Sequence, residues 1–214
     1  MRLKAKAWLE HLDNARTLAI AGDANGVHQV RVSARRLRVW LGFKGHASLD
    51  EELRWVCDEL ALMRDLEIFA EALSAKALNR LRVRATQRAV EALDSPRWDA
   101  LRKALEQTRA PRKSRARRVL QKLEQKLEAR RATMTSGDGL ALHALRRSIR
   151  RVRYAREWLG FEASDLAAEQ ERLGTVCDLL ALQAFAKSQR AQVPSPLTEA
   201  IARGFELLEA PDEG

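Results

Sequence analysis

Hydrophobic residues recur every three or four positions along nearly the whole chain, which is the spacing of helices that bury one face. Ala, Leu, Arg and Glu dominate and β-branched residues are sparse, a composition that favours helix over strand. The pattern therefore predicts an all-α protein with nine helices. Their predicted ranges are 3–21, 25–43, 48–74, a fourth segment that runs to residue 93, 97–109, 112–134, 140–159, 165–190 and 197–209.

Local signals predict where several of these helices begin and end. Ser48 with Glu51 three residues later has the spacing of a capping box. Ser95 before Pro96 is typical of a helix start, and Ser164 is predicted to cap the helix that follows it. Glycine is predicted to end three helices, at Gly22, Gly45 and Gly160.

Two of the predicted helices carry nearly the same sequence. Both fit the pattern apolar-His-x-apolar-Arg-x-Ser-apolar-Arg-Arg-apolar-Arg. At 100° per residue, the histidine and three of the arginines fall on one face beside an apolar stripe. This basic face predicts direct binding of an anion. Its residues are His28, Arg31, Arg35 and Arg38 in the first copy and His143, Arg146, Arg150 and Arg153 in the second.

The repeat continues beyond these helices, since Val56-Cys57-Asp58 matches Val176-Cys177-Asp178. The helices before residue 95 would then correspond one by one to those after residue 111, with 97–109 as a connector. We therefore expect a single domain, 1–214, made of two pseudo-symmetric four-helix bundle halves, 1–95 and 96–214. The basic faces of the two halves are expected to line a central basic groove.

The charge balance indicates a polyanionic partner. The 214 residues carry a net charge of +10, and 30 arginines stand against 9 lysines. The planar guanidinium binds phosphate through two parallel hydrogen bonds, so the arginine excess favours phosphate recognition. Nucleic acid, polyphosphate and an anionic membrane surface all fit this charge. A GC-rich genome would produce the same arginine excess without any such role.

Other basic residues admit two explanations. Arg36 and Arg151 lie about 100° from the basic face on their helices, and they fit phosphate ligands and partners of acids such as Asp65 equally well. A further basic stripe is equally consistent with a binding surface and with a solvated helix face. It consists of Arg115, Arg118, Lys122 and Lys126.

The sequence offers little for other chemistry or for membrane insertion. Cys57 and Cys177 are predicted to be small buried residues. Two cysteines are too few for a metal site, and the sequence allows but does not imply a disulfide between them. No signal peptide and no apolar run long enough to span a bilayer is found, so we expect a cytoplasmic protein without cofactor or metal.

The doubled histidine helices resemble those of the CHAD family, the conserved histidine α-helical domain. The stretch from Leu60 to Ile68 is similar to that family's Leu-Gly-x-x-Arg-Asp-x-Asp-Val, and Arg153-Tyr154 resembles the Arg-Tyr of its second helix. The resemblance implies two helical bundles around a basic groove or channel, binding of inorganic polyphosphate and, in some members, a location on polyphosphate granules. One departure is that Leu179–Phe185 lacks the acid that Asp65 supplies in the first half.

The sequence thus predicts a non-catalytic protein that binds inorganic polyphosphate through its two His/Arg faces. His28 and His143 would donate to phosphate, more strongly when protonated. Nucleic-acid binding is the first alternative, although no aromatic residues alternate with the basic faces for base stacking. An enzyme of phosphate metabolism with a histidine nucleophile is another, as is an accessory scaffold; no carboxylate cluster or Gly-rich phosphate loop supports the enzyme.

Overall fold

The structure, a computed structural model, describes residues 3–69, 75–134, 138–188 and 195–209. These residues form ten α-helices, which confirms the all-α class. The helices are α1 (Lys6–Ile20), α2 (Ala24–Gly42), α3 (Ala47–Glu59), α4 (Ala61–Phe69), α5 (Ala75–Leu93), α6 (Pro96–Gln107), α7 (Lys113–Ala132), α8 (Gly139–Leu159), α9 (Ser164–Ser188) and α10 (Ser195–Glu209).

One predicted helix is in fact two. The range 48–74 divides into α3 and α4, which are separated by the single residue Leu60. Nothing in the hydrophobic spacing marks this break, because the apolar period continues through it. Residues 70–74 at the end of the predicted helix lie outside the described residues, as do 189 and 190 at the end of the eighth.

The predicted helix ends are partly confirmed. Ser95 accepts the Trp98 N–H at 3.2 Å at the start of α6. The capping box at Ser48 is wrong, since the bond from Asp50 N–H to the His46 carbonyl closes the first turn of α3 before Ser48 can act as a cap. The three glycines predicted to end helices all have positive φ, at 85° for Gly22, 76° for Gly45 and 74° for Gly160.

The cap predicted at Ser164 is also wrong. Ser164 is the first residue of α9, and the Glu162 carboxylate accepts the N–H groups of Ala163 and Ser164 at 3.0 and 2.9 Å. The two basic helices begin instead under aspartates. Asp23 accepts from Gly26 at 3.0 Å, and Asp138 accepts from the N–H groups of the first turn of α8.

The first compact unit, Met1–Val119, is built around α2. This helix packs against α1, α3 and α4, while α6 packs on α3 and α5. The apolar stripe predicted beside the basic face is confirmed as the core of the unit. Its members, all fully buried, are Val27, Val30, Ala34, Leu37 and Leu41.

The second compact unit, Leu120–Gly214, has α8 packed on α9 and α10 packed on α9. Its apolar stripe is again buried, as predicted, at Leu142, Leu145, Ile149 and Val152. The division between the units falls inside α7, whereas the internal repeat predicts two halves that divide at residue 95. The two pseudo-symmetric halves, 1–95 and 96–214, therefore stay a prediction from the internal repeat.

Both cysteines are buried free thiols, as expected for small core residues. Burial raises the pKa of Cys177 more than the nearby Arg146 lowers it, so this thiol stays protonated. Within the described residues, no helix is long and apolar enough to cross a membrane.

The contact between α1 and α2 is close enough to require glycine at one position. A Cβ on Gly26 would overlap the backbone nitrogen of Ala19 and lie 2.7 Å from the Cβ of Leu18. Gly42, at the other end of α2, has nothing within 4 Å of its Cβ position. The same substitution should therefore have opposite effects at the two ends of this helix.

We expect Gly26→Ala to lower the free energy of unfolding by about 1–3 kcal/mol, because the added methyl forces α1 and α2 apart. Gly42→Ala should raise it by up to about 1 kcal/mol through helix propensity. Urea unfolding followed by circular dichroism measures both. Equal effects of the two substitutions would contradict the close contact at Gly26.

Candidate anion-binding sites

The basic face of α2 stands beside a fully buried stripe, so its direction relative to the unit is fixed. The four predicted residues nevertheless have different environments. Arg31 is buried, with only 8% of its surface exposed, whereas the other three are half-buried. The face consists of His28, Arg31, Arg35 and Arg38.

Arg31 extends into the unit rather than along its surface. Its Nη1 donates to the backbone carbonyl of Cys57, in the last turn of α3. Burial and the charge of Arg35 lower the pKa of Arg31, and the charge of Asp65 partly opposes them. A guanidinium here satisfies a carbonyl at the negative end of a helix and holds α2 against α3.

Arg35 is the arginine of this face whose donors stay unoccupied within the described chain. Its side chain is half-buried, and it has no hydrogen bond or ion pair with any residue that the structure describes. Its charge acts on Arg31, one turn before it on α2, and on His28, two turns before it. Arg35 therefore presents donors that no acid of the described chain occupies.

Arg38 is paired within its own unit. Its Nε and Nη2 donate to the two carboxylate oxygens of Asp50 at 2.8 and 3.1 Å. Burial lowers the pKa of Arg38, but the Asp50 carboxylate outweighs burial and the net change is upward. An anion that uses Arg38 must share it with Asp50.

His28 lies among positive charges. Burial lowers its pKa below the ordinary value, and the charges of Arg64, Arg35 and Arg31 lower it further. The imidazole is therefore neutral at pH 7 and can donate through one ring nitrogen. A bound anion would raise the pKa of His28 and so favour the protonated ring.

Arg64, on α4, is a member of this cluster that the hydrophobic and charge patterns did not single out. It exerts the largest charge effect on His28. Its Nη1 donates to Glu67 at 3.2 Å, one turn further along α4. In the sequence Arg64 stands out only as part of the CHAD-like stretch, as the arginine before Asp65, and that resemblance assigns it no role.

The basic face of α8 is paired more completely with acids. Arg146 Nη1 lies 3.2 Å from the Asp178 carboxylate on α9. Gly174 makes this possible, since a Cβ there would lie 2.9 Å from Nη2 of Arg146. Arg146 thus crosses α9, where Gly174 leaves room for its guanidinium.

His143 has a mixed electrostatic environment. Burial and the charges of Arg146 and Arg147 lower its pKa, while the charge of Asp178 raises it in part. Arg130 of α7 donates to the carbonyl of Ala144, the residue after His143, at 2.7 Å, and also to Ser148 Oγ. Arg130 was not predicted, and it ties α7 to α8 beside the histidine.

The remaining arginines of the repeat differ in their surroundings. Arg36 places its guanidinium 4.4 Å from the centre of the Trp8 ring, toward α1. Arg153 donates to Glu157 at 2.9 Å. On the same helix Arg150 is half-buried and Arg151 is exposed. Direct contact of these residues with an anion stays a prediction.

The third basic stripe lies on α7, and all four of its residues are exposed. Arg115 donates to the Lys44 carbonyl at 2.9 Å. The other three have no hydrogen bond or ion pair within the described part of the chain. They are Arg118, Lys122 and Lys126.

Comparison with known proteins agrees with this architecture. The sequence profile of the CHAD domain matches residues 4–187. The crystal structure of the CHAD domain from the plant Ricinus communis superposes with a TM-score of 0.68; it is 25% identical, and the match covers 96% of this chain and 84% of that one.

PptA from Streptomyces chartreusis has the same fold, with a TM-score of 0.70, 20% identity and coverage of 94% of this chain and 88% of that one. A comparison with curated proteins returns no match. The profile spans most of the chain, from α1 to the end of α9. The chain therefore belongs to the CHAD domain family.

Proposed function

We propose that this protein binds inorganic polyphosphate without catalysis, through the basic faces of α2 and α8. The observation that carries the proposal is the cluster of His28, Arg35 and Arg64, in which Arg35 has no acidic partner among the described residues. Family membership supports it, because the CHAD resemblance implies this ligand.

A polyphosphate chain suits a basic helix face because both carry closely spaced charges. From His28 to Arg38 the face extends about 15 Å, from ten residues at 1.5 Å each. Arginine can hold phosphate oxygens through two parallel hydrogen bonds. Release of counterions on binding would make the affinity fall steeply with salt.

We assign two roles to the arginines, from their contacts in the first unit and from their places in the repeat. Arg35 and Arg150 bind phosphate directly, while Arg31 and Arg146 position the helices through Cys57 and Asp178. Arg38 and Arg153, on the same helix faces, add positive charge beside the direct contacts. A protein that binds in this way would accumulate on polyphosphate granules in the cytoplasm.

Binding rather than catalysis is favoured by the surroundings of the histidines. Arginines dominate the field at His28, and no carboxylate of the described residues accepts a hydrogen bond from the His28 or His143 imidazole to activate it as a nucleophile. The described residues also hold no group of three or more side chains that could bind a metal ion.

Nucleic acid is the second candidate, and the aromatic residues argue against it. Arg36 covers Trp8, and Arg97 lies 4.1 Å over the ring of Trp55. Tyr154 on α8 is buried. These rings are occupied by the protein's own side chains, whereas binding of single strands relies on open aromatic faces.

The double variant Arg35→Ala/Arg150→Ala should lose at least about tenfold in affinity for long-chain polyphosphate, because it removes two charge-assisted contacts. Titration at fixed salt measures this. The control Arg80→Ala/Arg84→Ala removes the same charge from exposed residues of α5 and should lose less than about twofold.

Equal losses in the two double variants would mean that only net charge matters. Single-stranded RNA bound at the same salt provides a second check. If excess polyphosphate fails to displace that RNA, nucleic acid becomes the better assignment and the polyphosphate proposal is wrong.

Stability should separate positioning from binding. Arg31→Ala removes a buried donor from the Cys57 carbonyl, so it should lower the free energy of unfolding by about 1–3 kcal/mol. Arg35→Ala should change it by less than about 0.5 kcal/mol. Urea unfolding measures both, and a larger effect for Arg35→Ala would reverse the roles assigned to the two arginines.

Binding should also depend on pH. In the free protein the pKa values of His28 and His143 are held below 6.5, and bound negative charge must raise them. Binding then takes up protons between the free and bound pKa values. Affinity should therefore rise as pH falls through that interval, so that it is higher at about pH 5.5 than at about pH 7.5.

Isothermal titration in two buffers of different ionisation enthalpy would measure this proton uptake. The double variant His28→Gln/His143→Gln should show a flatter pH profile than the wild type. A wild-type affinity that stays constant or falls as the solution becomes acidic would exclude the histidines as phosphate donors.

A further inference from the structure

We propose that the two basic faces are unequal: the first unit holds the stronger phosphate site, and Arg64 of α4 is the additional ligand that makes it so. This inference rests on the proposed function and goes beyond it, because the repeated pattern alone predicts two equivalent faces. Three differences between the units carry it, each visible in the contacts around the histidines.

The first difference is a third arginine at His28, where His143 has two. Arg64 comes from α4, which packs against α2, and its charge is felt at the imidazole more strongly than those of Arg35 and Arg31. Two helices thus contribute cations to one imidazole. A phosphate group beside His28 would lie within the combined field of all of them.

The second difference is the residue that replaces Arg64 in the other repeat. Leu60-Ala61-Leu62 aligns with Leu180-Ala181-Leu182, which sets Ala184 opposite Arg64 and Phe185 opposite Asp65. The helix also differs, since α9 continues through Leu180 while Leu60 separates α3 from α4. The second unit therefore has no arginine at the corresponding position.

The third difference is the partner of the first arginine in each repeat. Arg31 donates to an uncharged carbonyl, that of Cys57. Arg146 instead pairs with the Asp178 carboxylate, whose negative charge also acts on His143. The Asp178 carboxylate thus opposes the positive charge at His143, whereas the charges that lower the pKa of His28 all come from arginines.

The ion pair with Glu67 leaves Arg64 able to bind phosphate. Glu67 accepts from one nitrogen, Nη1, of a guanidinium that carries five N–H donors. About a third of the Arg64 side chain is exposed (34%), while Glu67 is exposed by only 14%. The half-buried acid orients the arginine, whose partly exposed side chain keeps further N–H donors.

Single substitutions in the full chain test the inequality by titration with long-chain polyphosphate. Arg64→Ala and Arg35→Ala should each weaken binding by about tenfold, and Arg150→Ala by only about twofold. The matched control is Arg54→Ala, an exposed arginine of α3 without an ion pair in the described chain, which should change affinity by less than about twofold.

A second readout needs no ligand. Arg64→Ala should raise the pKa of His28 in the free protein, because it removes the arginine whose charge lowers that pKa most. NMR of the imidazole measures this pKa. Arg54→Ala should leave it unchanged. A His28 titration that is the same in the Arg64 variant and the wild type would overturn the role of Arg64.

The outcomes separate this inference from the proposed function. Equal losses for Arg35→Ala and Arg150→Ala, or a loss for Arg64→Ala no larger than for Arg54→Ala, would overturn the inequality while polyphosphate binding stands. A wild-type protein that does not bind polyphosphate at all would overturn the proposed function itself.

Discussion

The complete burial of one side of each basic helix fixes where its charges stand. On α2 the buried stripe from Val27 to Leu41 leaves no freedom of rotation, and Gly26 lets α1 approach the helix backbone closely. The backbone positions of the histidine and arginines beside that stripe are therefore fixed, whatever contacts their side chains make. A surface preorganised in this way binds an anion with little loss of side-chain freedom.

Once the helices are fixed, the arginines divide between structure and binding. Arg31 and Arg146 turn inward to partners on the neighbouring helix, and Arg38 is held by Asp50. These contacts stabilise the face but consume hydrogen-bond donors. Arg35 keeps its donors within the described chain, which is why the proposed binding gives this position more weight than other arginines of the same face. Charge counted along the sequence cannot show this division.

Much of the fold follows from local sequence, and the site follows less completely. The spacing of apolar residues predicts the helices and the buried stripes, because amphipathic periodicity is a property of each segment alone. The inward turn of Arg31 and the effect of Arg64 on His28 depend on contacts between distant segments, and the break at Leu60 has no signal in the apolar period. The predicted caps at Ser48 and Ser164 were wrong because residues just before them, His46 and Glu162, accept the first N–H groups of those helices.

The four histidines of the chain allow the central claim to be tested in one experiment. NMR of the imidazole side chains, recorded while long-chain polyphosphate is added, reports on His28 and His143 within the basic faces and on His11 and His46 outside them. The account predicts that the signals of His28 and His143 shift and that the pKa values of these two rise, while the signals of His11 and His46 stay nearly in place. Uniform shifts of all four, or no shift at His28, would contradict it.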